Sequence, residues 1–124
     1  MSLDQAITAA VSTYLASFGK GDLEAIIDLY AEDCWIEDPV GAERLSGKEA
    51  LRAFYQTAID MGAKGTLESE IRIAGNQAAF AFNMEIETPD GTFSTRPIDV
   101  MTFDDQGKIL NMRAFWGPAN QSVG

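Results

Sequence analysis

Apolar residues in the first half of the chain recur at three- and four-residue spacing, which is typical of helices with one buried face. The first such stretch begins after Ser2, which forms a capping-box pattern with Gln5. Its apolar positions are Leu3, Ile7, Val11, Tyr14 and Phe18. This spacing predicts a first helix that Gly19 and Gly21 bring to an end.

A second helix and a short strand are predicted next. Asp22 is a typical N-cap residue, and the apolar spacing after it predicts a helix as far as about Ala31. The run Cys34–Glu37 is typical of a short strand, which Pro39 and Gly41 close.

A third helix is predicted after Gly47. Ser46 and Glu49 match a second capping box, and the helical spacing continues to about Met61. The inward positions of this helix are Leu51, Phe54, Tyr55, Ala58 and Ile59.

The second half of the chain alternates apolar and polar residues, which indicates β-strands. The alternating runs are Leu67–Ile73, Ala79–Thr88, Phe93–Phe103 and Ile109–Trp116. Turn-forming residues separate them at Gly75-Asn76, Pro89-Asp90-Gly91 and Asp104-Asp105-Gln106-Gly107. Helices followed by an antiparallel meander predict one α+β domain over residues 1–124, in which helices and a curved sheet enclose an apolar cavity.

Composition narrows the class of protein. Hydrophobic residues make up 46% of the 124 positions, which is enough for a packed core, and the net charge is −10. That charge argues against nucleic acid or an anionic membrane surface as a partner. The one cysteine, Cys34, permits no internal disulfide, and neither a signal peptide nor a membrane-spanning run is evident. These features predict a cytoplasmic protein.

The residues available for chemistry are limited. The chain has no histidine, so acid–base catalysis has to use Asp, Glu, Tyr, Lys or Cys. Cys34 is better interpreted as a small buried residue than as a nucleophile, because nothing near it resembles an activating base. Phosphate loops, dinucleotide fingerprints and metal motifs are absent from the sequence, so neither a cofactor nor a metal is predicted.

Asp99 is the most unusual residue of the second half. It shares a strand face with Pro97, Met101 and Phe103, where burial favours the neutral form of a carboxyl group. A neutral carboxylic acid can donate a hydrogen bond. The alternative is an edge-strand carboxylate that is solvated or paired with Arg96, Arg113 or a lysine.

Asp38 and Tyr14 complete a set of candidate catalytic groups. Asp38 precedes a proline at the end of a strand, where it is either a general base or a simple turn residue. Tyr14 is either a hydrogen-bond donor in the cavity or a packed core aromatic. One base and two neutral donors, Tyr14 and Asp99, suit proton abstraction next to a carbonyl, because the donors can hold the resulting oxyanion.

Several segments together resemble the bacterial Δ5-3-ketosteroid isomerases, which share a cone-shaped α+β fold with nuclear transport factor 2. The resemblance covers nearly the whole chain, and the segment Asp60–Gly65 matches least well. The segments that carry it are Thr13-Tyr14, Gly21-Asp22-Leu23-Glu24-Ala25-Ile26, Glu37-Asp38-Pro39-Val40-Gly41, Phe54-Tyr55, Ala79-Phe80-Ala81-Phe82, Pro97-Ile98-Asp99-Val100 and Met112-Arg113-Ala114-Phe115-Trp116.

The resemblance implies a role for each matching residue. Asp38 corresponds to the base that moves a proton from C4 to C6 of a steroid, and Tyr14 and Asp99 to donors to its C3 oxygen. Tyr30 and Tyr55 correspond to the supporting hydrogen-bond network. The implied substrate-binding residues are Phe54, Phe80, Phe82, Met84, Met112, Ala114 and Trp116.

The function implied in this way is that of a cofactor-free steroid Δ-isomerase with a 3-oxosteroid substrate, working as a homodimer. Two alternatives stay open. One is an isomerase or cyclase of the same fold that acts on another apolar ketone, such as a polyketide. The other is a non-catalytic steroid-binding or protein-docking module, which would have no need of a base.

Overall fold

Three α-helices pack on a nine-stranded, mostly antiparallel sheet in the computed structural model, which describes residues 2–124. The helices are α1 (Leu3–Lys20), α2 (Leu23–Ile27) and α3 (Lys48–Asp60). The strands are β1 (Tyr30–Glu37), β2 (Leu45–Ser46), β3 (Lys64–Leu67), β4 (Arg72–Ala74), β5 (Gln77–Thr88), β6 (Gly91–Thr95), β7 (Ile98–Phe103), β8 (Ile109–Phe115) and β9 (Gln121–Val123). The predicted α+β class is confirmed.

Both ends of α1 are fixed by local hydrogen bonds. The Ser2 hydroxyl accepts from the Gln5 backbone N–H at 3.1 Å, and the Gln5 side chain accepts from the Ser2 N–H at 2.9 Å. The predicted capping box is therefore confirmed. Gly21 ends the helix in the left-handed region, with φ at 65°, while Gly19 lies inside the helix.

The prediction for the second helix was wrong in length. The Asp22 side chain caps α2 by accepting from the Ala25 N–H at 3.1 Å, but the helix ends at Ile27. The backbone of Leu29 instead accepts a hydrogen bond from Ile109 of β8, and Tyr30 begins β1. Pairing with the sheet overrides the local helical spacing at this point.

The capping box predicted for α3 is also wrong. Ser46 belongs to β2, and Gly47 occupies the N-cap position with no side-chain hydrogen bond and φ at 87°. A glycine adopts this backbone conformation without steric cost, so the chain can turn from the strand directly into the helix.

The sheet has the strand order β2-β1-β8-β7-β5-β6-β9, and β3 and β4 also pair with β5. The strands β1 and β8 run parallel, whereas the other pairs between residues 2 and 124 are antiparallel. The strand β5 is long enough to pair with β7 along its first half and with β6 along its second half.

Three of the predicted strands are interrupted. The run Leu67–Ile73 contains only the end of β3 and the start of β4, and residues 68–71 between them are not in a strand. The run Phe93–Phe103 divides into β6 and β7 at Arg96 and Pro97, because proline has no N–H for the ladder. In β8 the register passes from Ile109 to Asn111, so Leu110 is half-buried and Ile109 takes the core position. A regular alternation through the predicted run Ile109–Trp116 would place Leu110 on the buried face of Met112, and that prediction is wrong.

The predicted alternation of β7 is confirmed. Asp99, Met101 and Phe103 are buried while Val100 and Thr102 between them are partly exposed. The buried face packs towards the helices, so Asp99 lies on the inner side of the sheet. No helix between residues 2 and 124 has the length and hydropathy needed to cross a membrane.

Candidate active site

A cavity of about 220 Å³ lies between the helices and the inner face of the sheet. Its wall is mostly aromatic and aliphatic, with a few polar groups. The lining residues are Tyr14, Phe18, Asp38, Phe54, Tyr55, Ala58, Phe82, Met84, Thr95, Pro97, Asp99 and Trp116. Such a wall is typical of a small-molecule site.

Three tyrosines from three different elements form a hydrogen-bonded chain. Tyr55 Oη on α3 lies 3.1 Å from Tyr14 Oη on α1 and 2.5 Å from Tyr30 Oη at the start of β1. If Tyr30 donates to Tyr55 and Tyr55 donates to Tyr14, the Tyr14 hydrogen is left for a group in the cavity. Each bond then polarises the next, which makes Tyr14 a stronger donor.

The three phenols are neutral at physiological pH. Burial raises the pKa of Tyr14, Tyr30 and Tyr55 well above the ordinary value of a phenol. The negative charge that Asp99 carries when ionised also raises the pKa of each of them. The network therefore supplies hydrogen bonds without supplying a charge.

Asp99 is 1% exposed, and neither of its side-chain oxygens has a hydrogen-bond partner within residues 2–124. Burial raises its pKa well above the ordinary value for aspartate, and the charge of Asp38 raises it further. Burial therefore favours the neutral, protonated form of Asp99. The carboxyl group borders the cavity, and in the protonated form its O–H group would be available to a ligand.

The alternative interpretation of Asp99 as a solvated or ion-paired carboxylate does not fit this geometry. Arg113 instead donates to Glu37 at 3.2 Å, and Arg96 donates to the Ser122 hydroxyl at 3.1 Å. Both arginines are therefore engaged elsewhere, and the charge of Asp99 has no compensating cation among the ion pairs of the described chain.

Asp38 lies at the end of β1 on the same cavity. The Trp116 indole N–H donates to Asp38 Oδ1 at 2.7 Å. Burial raises the pKa of Asp38, while the indole hydrogen bond lowers it by stabilising the charged form. A hydrogen bond therefore stabilises a charge on Asp38 but not on Asp99, which favours Asp38 over Asp99 as the ionised group of the two.

The structure divides the predicted substrate-binding residues into two groups. Phe54, Phe82, Met84 and Trp116 line the cavity, as do the predicted catalytic residues. Phe80, Met112 and Ala114 are fully buried in the core and do not border the cavity. Tyr30 also lies behind the wall, where it contacts the cavity only through Tyr55.

Four lining residues were not predicted as part of the site, namely Phe18, Ala58, Thr95 and Pro97. Phe18 and Ala58 have helical spacings that bring them to the inner face, as they do for Tyr14 and Tyr55. Pro97 and Thr95 precede Asp99 at intervals of two, a spacing that predicts the same strand face for all three residues. The indole N–H of Trp116 as partner of Asp38 had no signal in the sequence, since 78 positions separate the two residues.

Cys34 and the potential metal ligands contribute less to the chemistry of the site. Cys34 is buried, and burial raises the pKa of its thiol, which fits a packing role. Within residues 2–124, no group of three or more potential metal-ligating side chains comes together. Chemically, the site offers two carboxyl groups and a hydrogen-bonded phenol around an apolar space.

Comparison with known proteins gives a consistent family relationship. Residues 11–112 match the family model described as a SnoaL-like domain. The chain is 42% identical over 118 residues to a steroid Delta-isomerase from Nocardioides simplex, with 94% of each protein covered.

More distant relatives carry different names. The chain is 25% identical over 118 residues to the epoxide hydrolase LasB from Streptomyces lasalocidi, of which it spans 40%. A solved structure of the epoxide hydrolase/cyclase-like enzyme SalBIII, associated with pyran ring formation in salinomycin, is 27% identical. It superimposes with a TM-score of 0.90 over 98% of both chains.

Proposed function

The chain belongs to the SnoaL-like domain family and is homologous to a steroid Δ-isomerase, and from this premise we propose that it is itself a cofactor-independent steroid isomerase. Its substrate is a 3-oxosteroid with a C5–C6 double bond. Its product is the isomer in which the double bond is conjugated with the C3 carbonyl.

The Asp38 carboxylate begins the reaction by removing a proton from C4. The C4–H bonding electrons form a C3–C4 double bond, and the carbonyl electrons move to the C3 oxygen to give a dienolate. Asp38 then returns its proton to C6, and electron flow back from the oxygen leaves a C4–C5 double bond. The proton is moved between two carbons, so that the reaction requires no cofactor and consumes no reagent.

Tyr14 and Asp99 stabilise the charge that develops on the C3 oxygen. Both are neutral donors in a buried site, where a hydrogen bond to a charged oxygen is stronger than one to a neutral carbonyl. The Trp116 indole keeps Asp38 oriented and favours its charged form before the proton is removed.

The observation that carries this proposal is the buried, unpartnered carboxyl group of Asp99 beside Tyr14 and Asp38. An unsatisfied buried acid costs stability, so its presence is best explained by an acceptor on the ligand. A module that only bound steroid would need neither the Asp38 base nor a neutral acid.

The test is turnover of a Δ5-3-ketosteroid by the purified protein. We expect the ultraviolet absorbance of the conjugated enone to grow in proportion to enzyme concentration. Tight binding of a steroid with no growth of absorbance above buffer would instead favour the non-catalytic module.

A second candidate is suggested by the likeness to an enzyme named as an epoxide hydrolase and to one described as epoxide hydrolase/cyclase-like. A neutral acid beside a carboxylate also suits epoxide opening, in which the acid protonates the epoxide oxygen and the carboxylate activates the attacking hydroxyl group. The identity to these enzymes is lower than that to the isomerase. Turnover of a hydroxy-epoxide in the absence of steroid isomerisation would favour this candidate.

We also propose that the protein forms a homodimer through the outer face of its sheet. Ile98 and Phe115 are register partners on β7 and β8, and they are 47% and 43% exposed. The Arg113 guanidinium lies 5.3 Å from the centre of the Phe115 ring. An apolar pair of this kind on an open sheet face is typical of a surface that a second subunit covers.

Substitution of Phe115 by Glu should convert the dimer to a monomer, because two like charges would be buried against an apolar face. Light scattering coupled to size-exclusion chromatography measures the mass. Met61→Glu is the matched control, since Met61 is a 52% exposed apolar residue at the end of α3 and does not belong to β7 or β8. A monomeric wild-type protein, or a dimer that survives Phe115→Glu, would contradict the proposed interface.

A further inference from the structure

One polar group in the cavity has no part in the chemistry described above. Asp38, Asp99, Tyr14 and Tyr55 form the base and the donor network, and the Trp116 indole is bonded to Asp38. The hydroxyl of Thr95 is the polar group left over among the described lining residues. It stands at the end of β6, directly before the break at Arg96 and Pro97.

The strand register separates Thr95 from the donors. Thr95, Pro97 and Asp99 follow one another at intervals of two and all border the cavity. Asp99 pairs with Phe80 of β5, whereas Thr95 pairs with Met84 of the same strand. Phe80 and Met84 are four residues apart, which corresponds to about 13 Å along β5.

Asp38 lies at the donor end of the cavity. Glu37 pairs with Arg113 of β8, and the next residue of β8, Ala114, pairs with Asp99. The backbone of Asp38 is therefore near the level of Asp99, and the Trp116 indole reaches it from the level of Pro97. The donors and the base thus lie towards one end of this row, and the Thr95 hydroxyl lies at the other.

The Thr95 hydroxyl accepts one hydrogen bond from the protein, and its own hydrogen is not used in that contact. Gln121 Nε2 donates to Thr95 Oγ1 over a long 3.5 Å, and the register of β6 and β9 pairs the two residues. Thr95 accepts in this contact, so its own O–H is available to an acceptor in the cavity.

We propose that Thr95 is a specificity-determining residue, which donates a hydrogen bond to an oxo group on the ring farthest from the C3 oxygen of the substrate. The inference rests on the proposed function, because it needs a rigid, elongated ketone whose first oxygen binds Tyr14 and Asp99. With that end fixed and C4 and C6 beside Asp38, the far ring extends towards Thr95.

This hydrogen bond should affect binding more than chemistry. The far oxo group keeps the same charge in the ground state and the transition state, so its contact with Thr95 stabilises both states equally. Loss of the contact should raise KM and leave kcat nearly unchanged. A single neutral hydrogen bond corresponds to about a fivefold change in affinity.

The test compares two steroids whose first ring is a phenol, one with a 17-oxo group and one without. Both mimic the dienolate, and their dissociation constants can be measured without turnover. For Thr95→Val, which replaces the hydroxyl by a methyl group, we expect about fivefold weaker binding of the 17-oxo ligand alone. Thr95→Ser keeps the hydroxyl and should keep the preference for the 17-oxo ligand.

Two results would overturn the inference. In one, Thr95→Val weakens both ligands equally, so that Thr95 only packs against the ring. In the other, the wild-type protein binds the two ligands equally well. Failure of the proposed function would look different, since binding would still depend on the 17-oxo group and Thr95 while the Δ5-3-ketosteroid would not be turned over.

Discussion

Replacement of Asp38 by Asn should lower kcat for steroid isomerisation by up to about 10⁴-fold, the upper range of what a general base contributes. The amide has nearly the shape of the carboxylate but cannot accept a proton from carbon. Tyr14 and Asp99 remain in place, so the substrate still binds with its carbonyl polarised. Steady-state kinetics on a Δ5-3-ketosteroid measures the loss.

Ligand binding separates loss of the base from loss of the site. The Trp116 N–H can still donate to the side-chain oxygen of Asn at position 38, so a phenolic steroid should bind the variant with an affinity close to wild type. The matched control is Asp33→Asn, an exposed aspartate on the same strand, and it should leave kcat unchanged. A kcat within about tenfold of wild type for Asp38→Asn would refute the assignment of the base.

The parts of this fold that the sequence predicts are those in which local signals agree with tertiary packing. Capping by Ser2 and Gln5, a regular apolar spacing and a terminal Gly21 all specify the same first helix. The second helix was overestimated because Tyr30 satisfies helical spacing and strand burial equally well. Pairing of the backbone with Ile109, 79 positions away, decides between the two, and no local pattern reports it.

In the candidate site, too, local features can be predicted from the sequence and long-range contacts cannot. Asp99 stands out in the sequence, since an acid on a buried strand face breaks the alternation that the rest of β7 obeys. Three features of the site depend on the register of β1, β6, β7 and β8. They are the lack of an ion-pair partner for Asp99 among the described residues, the hydrogen bond between Trp116 and Asp38, and the position of Thr95. These relationships are between distant residues, so they emerge only when the chain is folded.

Replacement of Asp99 by Ala should lower kcat by about 10²- to 10³-fold, the cost of removing one donor from an oxyanion site. Asp99→Asn should lose less, because an amide N–H can donate to the C3 oxygen in place of the carboxylic O–H. A carboxylate could not donate at all, so this order of activities, wild type above Asn above Ala, depends on a protonated Asp99. Equal losses in the two variants would mean that Asp99 acts through packing or charge instead.

The protonation of Asp99 should also be measurable as a dependence of stability on pH. In the unfolded chain Asp99 loses its proton near the ordinary aspartate pKa, whereas in the folded protein burial keeps the proton on to a much higher pH. The unfolded state then binds fewer protons than the folded state, so that stability is greatest below the ordinary pKa and falls as pH rises towards the raised pKa. The slope from this one group is at most about 1.4 kcal/mol per pH unit.

Asp99→Asn removes this titration, so the variant should gain stability relative to wild type as pH rises from about 4 to about 8. Urea unfolding at fixed protein concentration gives the difference in the free energy of unfolding at each pH. Asp33→Asn, at an exposed aspartate, gives the baseline for the loss of one surface charge. If the Asp99→Asn difference does not change with pH beyond that baseline, Asp99 ionises normally in the folded protein. In that case it cannot donate to the C3 oxygen, and the oxyanion site would consist of Tyr14 alone.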